Sequence, residues 1–174
     1  MLRELALHIL DLAEDSLNAG ASLVTIDVIE DAPTDRETIR VTDNGCGMDA
    51  ESVRRAADPY FTTRTTRRVG RGLPFLKQAA EMCNGSMTID SQVGVGTTIT
   101  ATFQHSHIDR MPLGDLPGTI LSLVVGYPQA DFVYRHTTEG HTFEFDTRPI
   151  KAELQGIALS EPNVITYLKE YLQE

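Results

Sequence analysis

Asp43-Asn44-Gly45-Cys46-Gly47-Met48 is the stretch on which the reading of this chain turns. Ile39 and Val41 alternate ahead of it as a strand does, and the hexapeptide itself is too rich in turn formers to be regular structure. Gly45 and Gly47 permit backbone conformations and close approaches that a Cβ hinders. A carboxylate at the end of a strand, here Asp43, can accept a hydrogen bond from an exocyclic amine. Taken alone, the segment also fits an ordinary turn, so its surroundings must decide.

Upstream, Val24, Ile26 and Val28 alternate, a stretch from Asp31 to Asp35 containing Pro33 turns the chain, and the strand bearing Ile39 and Val41 returns. Before this hairpin, residues 2–19 have helical periodicity and Gly20 ends the run. Leu5, Ile9, Leu12, Ala13 and Leu17 share one face; His8, Asp11, Glu14, Asp15 and Asn18 fall on the other, where His8 is expected to be a polar-face residue. Asp11, Asp15 and Asn18 stand at i, i+4 and i+7, so their oxygens can converge. Such oxygens suit Mg²⁺, with substrate phosphates completing the shell; a solvent-facing acidic stripe is the plainer alternative.

Downstream, Asp49 can cap a short helix through about Ala57. From Pro59 to Ala80 there is no acid, yet Arg64, Arg67, Arg68, Arg71 and Lys77 all occur. A basic island in an acidic chain suits a compact polyanion such as a triphosphate, or is merely a solvated loop. Gly70-Arg71-Gly72 ends this island and opens a helix, where backbone N–H groups can close on phosphate. That helix carries Leu73, Leu76, Ala80 and Cys83 on one side and Pro74 in its expected first turn, and Asn84-Gly85 stops it. Met87 to Ile89 and Thr97 to Phe103 read as paired strands around Gly94-Val95-Gly96. The order predicts a sheet with helices layered on one face.

From His105 the character changes. Pro112, Gly114, Pro117 and Gly118 mark a junction, so 1–105 is expected as one domain and 106–174 as a small helix–hairpin–helix module for partner or dimer contact. It comprises an apolar helix to about Val125, a hairpin turning at Glu139-Gly140, and a last helix that Ser160 could cap. His136 and His141 flank the turn; they could pair across strands or bind a metal with an unidentified third ligand.

The bulk composition narrows the class. The chain has 174 residues, 41% hydrophobic and 23% charged, as expected of a globular protein. Fifteen Lys and Arg against 25 Asp and Glu give a net charge of −10, which argues against nonspecific nucleic-acid binding. Cys46 and Cys83 have no metal or redox spacing, and no apolar run is long enough for a membrane span. A reduced, cytoplasmic protein without membrane contact is the expectation.

Together the motifs resemble, in order, those of the GHKL ATPases: gyrase, histidine kinases, mismatch-repair ATPases and heat-shock-type chaperones. Asp11 to Ala21 is similar to the magnesium-binding helix of the mismatch-repair branch, and Asp43 to Met48 to the first glycine box. Asp58-Pro59-Tyr60-Phe61-Thr62-Thr63-Arg64 resembles the phenylalanine motif before the ATP lid. Gly70-Arg71-Gly72-Leu73 resembles the second glycine box, and Gly94-Val95-Gly96-Thr97-Thr98 the last. The resemblance covers roughly residues 4–103. It implies an α/β two-layer sandwich, a mixed and mostly antiparallel sheet with helices on one face, here followed by a small α+β C-terminal appendage. It also implies ATP and Mg²⁺ as ligands. Asp43 would take the adenine amino group, with Gly45, Gly47, Met48 and Thr97 shaping that end. Phe61, Thr62, Thr63 and Arg64 would lead into the lid, while Gly70, Arg71, Gly72 and Leu73 would cover the phosphates. Asp15 and Asn18 are the expected metal ligands.

The chain departs from the family at the catalytic helix. Asp11 stands where the gyrase and mismatch-repair branches have their general-base glutamate, and Asp15 where the magnesium-binding asparagine belongs. Asp11 is one methylene shorter, and a ~1 Å misplacement can cost about a hundredfold in rate. Glu14 and Asn18 repeat the i, i+4 spacing and remain rivals. No phosphoacceptor helix precedes the first motif, so a complete sensor kinase is not expected. Three functions stay open: an ATP-binding module with slow ATPase activity regulating a partner protein, a stand-alone kinase of the anti-sigma-factor type, and a non-hydrolysing ATP-sensing adaptor.

Overall fold

The computed structural model describes residues 4–58 and 69–173, with the backbone alone for 69–71. Its elements are α1 (Leu5–Asn18), β1 (Leu23–Asp31), β2 (Arg36–Asp43), α2 (Ala50–Ala56), α3 (Val69–Met82), β3 (Ser86–Gln92) and β4 (Gly96–Gln104). Then follow α4 (Leu116–Gly126), β5 (Asp131–Thr138), β6 (His141–Asp146), α5 (Thr147–Leu154) and α6 (Pro162–Leu172). The six strands form one sheet in the order β3-β4-β2-β1-β5-β6. Every neighbouring pair is antiparallel except β1 and β5, which run parallel from Leu23↔Asp131 to Glu30↔Thr138. The expected two-layer arrangement is present.

Period-2 alternation explains which face is covered. Val24, Ile26 and Val28 of β1, Ile39 and Val41 of β2, Ala101 and Phe103 of β4, and Phe132 and Tyr134 of β5 are buried in one core. On the opposite face the register aligns Thr25, Thr42 and Thr98, and Asp27, Arg40 and Thr100. Those side chains are polar and part-exposed, as an open antiparallel face should be. Leu5, Ile9, Leu12 and Ala13 of α1 and Leu73, Leu76 and Ala80 of α3 close the core from above.

The C-terminal segment joins the same sheet. Asp131 N–H donates to the Ser22 carbonyl at 2.8 Å and starts the parallel pairing. α4 packs on α1 and contributes Leu116, Ile120, Leu123 and Val124 to the core. Leu5 and Ala6 N–H donate to the carbonyls of Pro112 and Leu113, so the junction also caps the start of α1. This has a consequence for His8: it is 2% exposed rather than a polar-face residue, because α4 covers a side of α1 that an isolated amphipathic pattern assigns to solvent.

Three local expectations change. α3 begins at Val69, so Pro74 lies inside the helix and not in its first turn; without an N–H it cannot donate to the Gly70 carbonyl. The last helix starts on Pro162 with Glu161 at the cap position, so Ser160 does not cap it. α5 had no counterpart in the sequence reading. It is signalled by Asp146, whose Oδ1 accepts from Arg148 N–H at 2.9 Å, and it is tied to β5 by Lys151 Nζ, which donates to the Pro128 and Ala130 carbonyls. The Glu139-Gly140 turn is as expected, with φ of 47° and 82°. Among the described residues no helix is long and apolar enough to cross a membrane.

Candidate functional site

Asp43 is the last residue of β2, flanked in register by Val24 of β1 and Thr97 of β4. Its carboxylate is held on both oxygens. Oδ1 accepts from Gly45 N–H at 2.8 Å, and Oδ2 accepts from Ser16 Oγ of α1 at 2.6 Å. Two donors fix its orientation toward a cavity of about 150 Å³. Leu12, Asp15, Ser16 and Ala19 of α1 form one wall, Cys46, Gly47 and Met48 another, and Leu73, Thr97 and Ile99 complete the lining. An oriented carboxylate in a narrow, mostly apolar slot can bind a flat ring bearing an exocyclic amine.

The glycines explain how the loops come close enough to make the slot. Gly47 has φ +73°, and a Cβ there would lie 2.0 Å from the Gln92 carbonyl oxygen. Gly96, at φ +144°, would place a Cβ 2.0 Å from the Asp43 carbonyl oxygen. Gly94 N–H also donates to the Cys46 carbonyl at 2.8 Å, so the first and last glycine segments hold one another. Met48 N–H donates to Ser91 Oγ at 2.8 Å, and Ser91 Oγ lies 2.7 Å from Thr97 Oγ1.

The rivals on α1 separate in space. The Asp11 carboxylate lies against the Gly72 backbone: a Cβ on Gly72 would fall 2.0 Å from Asp11 Oδ2. Burial, and secondarily the charge of Glu14, pushes the Asp11 carboxyl above the ordinary carboxylate range. Glu14 instead accepts from Tyr127 Oη at 2.9 Å. Asp15 lines the cavity, whereas Asn18 is exposed and is absent from the lining. Phe61, Thr62, Thr63 and Arg64 lie outside the described residues; Gly70 and Arg71 stand in the first turn of α3.

The sequence reading missed Ser16 and Ser91. The Ser91↔Thr97 register could have suggested the second once the strands were paired, but Ser16 needed the packing of α1 over β2. His136 and His141 do not pair: His136 Nε2 lies 2.6 Å from Glu30 Oε2, and His141 is exposed opposite Thr138.

Residues 1–107 match the family model of the histidine kinase-, DNA gyrase B- and HSP90-like ATPases. The chain belongs to this family. The sensor histidine kinase YxdK of Bacillus subtilis is 33% identical over 73 residues, 40% of this chain and 22% of that kinase. Curated relatives of this kind are much longer, the chain spanning 12% to 24% of them. In fold, the chain is similar to the N-terminal domain of a DNA repair protein (TM-score 0.58, 14% identical, 84% of this chain and 53% of that one). It is similar also to the Aquifex aeolicus MutL ATPase domain, solved with ADP (TM-score 0.51, 15% identical, 99% of this chain and 70% of that one). Membership in the ATPase family implies a capacity for nucleotide and Mg²⁺, and the Asp43 slot lies in the part of the chain the family model covers.

Proposed function

We propose that this member of the ATPase family binds ATP with Mg²⁺ in the Asp43 cleft, hydrolyses it slowly, and acts on a partner protein through residues 106–174. The observation that carries the reading is the Asp43 carboxylate, fixed by Ser16 and Gly45 N–H at the wall of a largely apolar cavity of about 150 Å³. Asp43 accepts the adenine amine, and Gly47, Met48 and Thr97 bound the ring. Gly70, Arg71, Gly72 and Leu73 cover the phosphates at the start of α3. Asp15 holds the metal; Asn18, exposed, serves only through water.

Asp11 is the general base of this reading, because it lies against Gly72 while Glu14 is engaged by Tyr127. A carboxyl raised by burial is a better proton acceptor, which partly offsets its shorter reach. Ile108, Ile157 and Tyr167, all well exposed beyond the family-matched region, offer the apolar contacts a partner or second copy needs.

Calorimetric titration with ATP and Mg²⁺ tests the first step. Micromolar binding in the wild type and at least a hundredfold loss in Asp43→Ala are expected; absence of wild-type binding overturns the reading. Labelled γ-phosphate separates the outcomes of binding: free phosphate supports the ATPase, and label on a co-purified protein supports the kinase alternative. No turnover in the wild type supports the sensing adaptor.

A further inference from the structure

A second polar centre lies at the other end of the sheet. Six residues separate Val24 from Glu30 along β1, about 20 Å at ~3.3 Å per residue, so it is separate from the Asp43 cleft. There one carboxylate oxygen each of Glu30 and Glu37 and one ring nitrogen of His105 lie within 4.8 Å of one another. Glu30 Oε1 is 3.1 Å from His105 Nε2, and its Oε2 is 2.6 Å from His136 Nε2. Glu37 is fully buried. Arg110 Nη1 reaches its Oε1 at a long 3.4 Å, and its Oε2 has no hydrogen-bond partner among the described residues.

We infer that Glu30, Glu37 and His105 form a binding site for a divalent transition-metal ion of the Zn²⁺ class, with His136 orienting Glu30. Two carboxylates and an imidazole are a nitrogen–oxygen donor set that such ions prefer and that Mg²⁺ does not select. A buried carboxylate oxygen without a donor is costly, and a cation supplies what it lacks. Two carboxylates meet at this centre, with Arg110 the guanidinium that reaches Glu37. His136 then does what outer-shell groups do in metal sites, fixing a ligating carboxylate by a hydrogen bond.

The site would be a staple. Glu30 comes from β1, Glu37 from β2, His105 from the turn just after β4 and His136 from β5. An ion there ties β1, β2 and the turn after β4 together, and His136 links this cluster to β5 only through Glu30.

The test uses the full chain freed of metal by chelator and dialysis, with ZnCl₂ as titrant and CoCl₂ as spectroscopic probe. One equivalent of Zn²⁺ is expected at micromolar or tighter affinity, with a Tm rise of about 5 °C and visible Co²⁺ bands of four- or five-coordinate ligation. The isosteric Glu37→Gln should weaken binding at least tenfold while keeping the wild-type near-UV circular dichroism, and His136→Gln should weaken it by about tenfold. Asp43→Ala and His141→Asn should bind as the wild type does. Less than a tenth of an equivalent on the wild type overturns the proposal. So does unchanged affinity in Glu37→Gln, or loss of binding in Asp43→Ala or His141→Asn. Because the readout is metal binding in either nucleotide state, failure here leaves the ATP reading standing, and the reverse also holds.

Discussion

Ser16 and His8 lie two turns apart on α1 and make opposite demands on it. Ser16 Oγ donates to Asp43 Oδ2 at 2.6 Å, a bond to a charged acceptor that both orients the carboxylate and satisfies it. Ser16→Ala should therefore weaken ATP about tenfold without lowering Tm greatly, measured by titration beside a thermal melt. His8 is buried with neither ring nitrogen hydrogen-bonded among the described residues. Burial lowers its pKa below 6.5. The unfolded chain takes up a proton near pH 6.5 that the folded chain resists. The neutral ring is thus fully compatible with folding above that pH, and stability is lost as pH falls below it. Urea unfolding at pH 7 and pH 5 should show a larger loss for wild type than for His8→Leu. Equal losses would mean that the ring finds a partner in solution.

The helix α1 serves three neighbours at once: the sheet below, α3 beside it and α4 across it. This is how one element sorts two nearby acids. Asp11 is turned to the glycine turn of α3, and Glu14 to Tyr127 at the end of α4. Asp11→Asn should reduce ATP turnover at least tenfold while leaving binding within about threefold. Tyr127→Phe, which releases Glu14, should change turnover less than about twofold; the reverse pattern would make Glu14 the base. Steady-state phosphate release on the three proteins decides between them. The position of α1 was legible in the sequence, because its apolar stripe is long and regular. The division of its acids was not, because it depends on which helices flank it.

One sheet runs through the whole molecule, and β1 is paired on both sides, antiparallel with β2 and parallel with β5. Cutting the chain after His107 would leave β1 as a bare edge and uncover the side of α1 on which α4 packs. A 1–107 fragment should melt without a cooperative transition or aggregate on purification, whereas the full chain should show one transition by circular dichroism. Two separate transitions in the full chain would mean that the C-terminal region folds independently of the sheet it extends.

Local chemistry wrote the nucleotide half of this protein into the sequence. A glycine box between alternating strands, an acid at a strand end and Gly70-Arg71-Gly72 at a helix start each need only neighbours a few residues away, so their spacing betrays them. Tertiary structure alone decided the rest. Ser16 meets Asp43 across 27 positions, β5 finds β1 across more than a hundred, and three strands and the turn after β4 bring Glu30, Glu37, His105 and His136 together. Such contacts leave no periodic trace, because they arise from strand order and register, which only the closed sheet fixes.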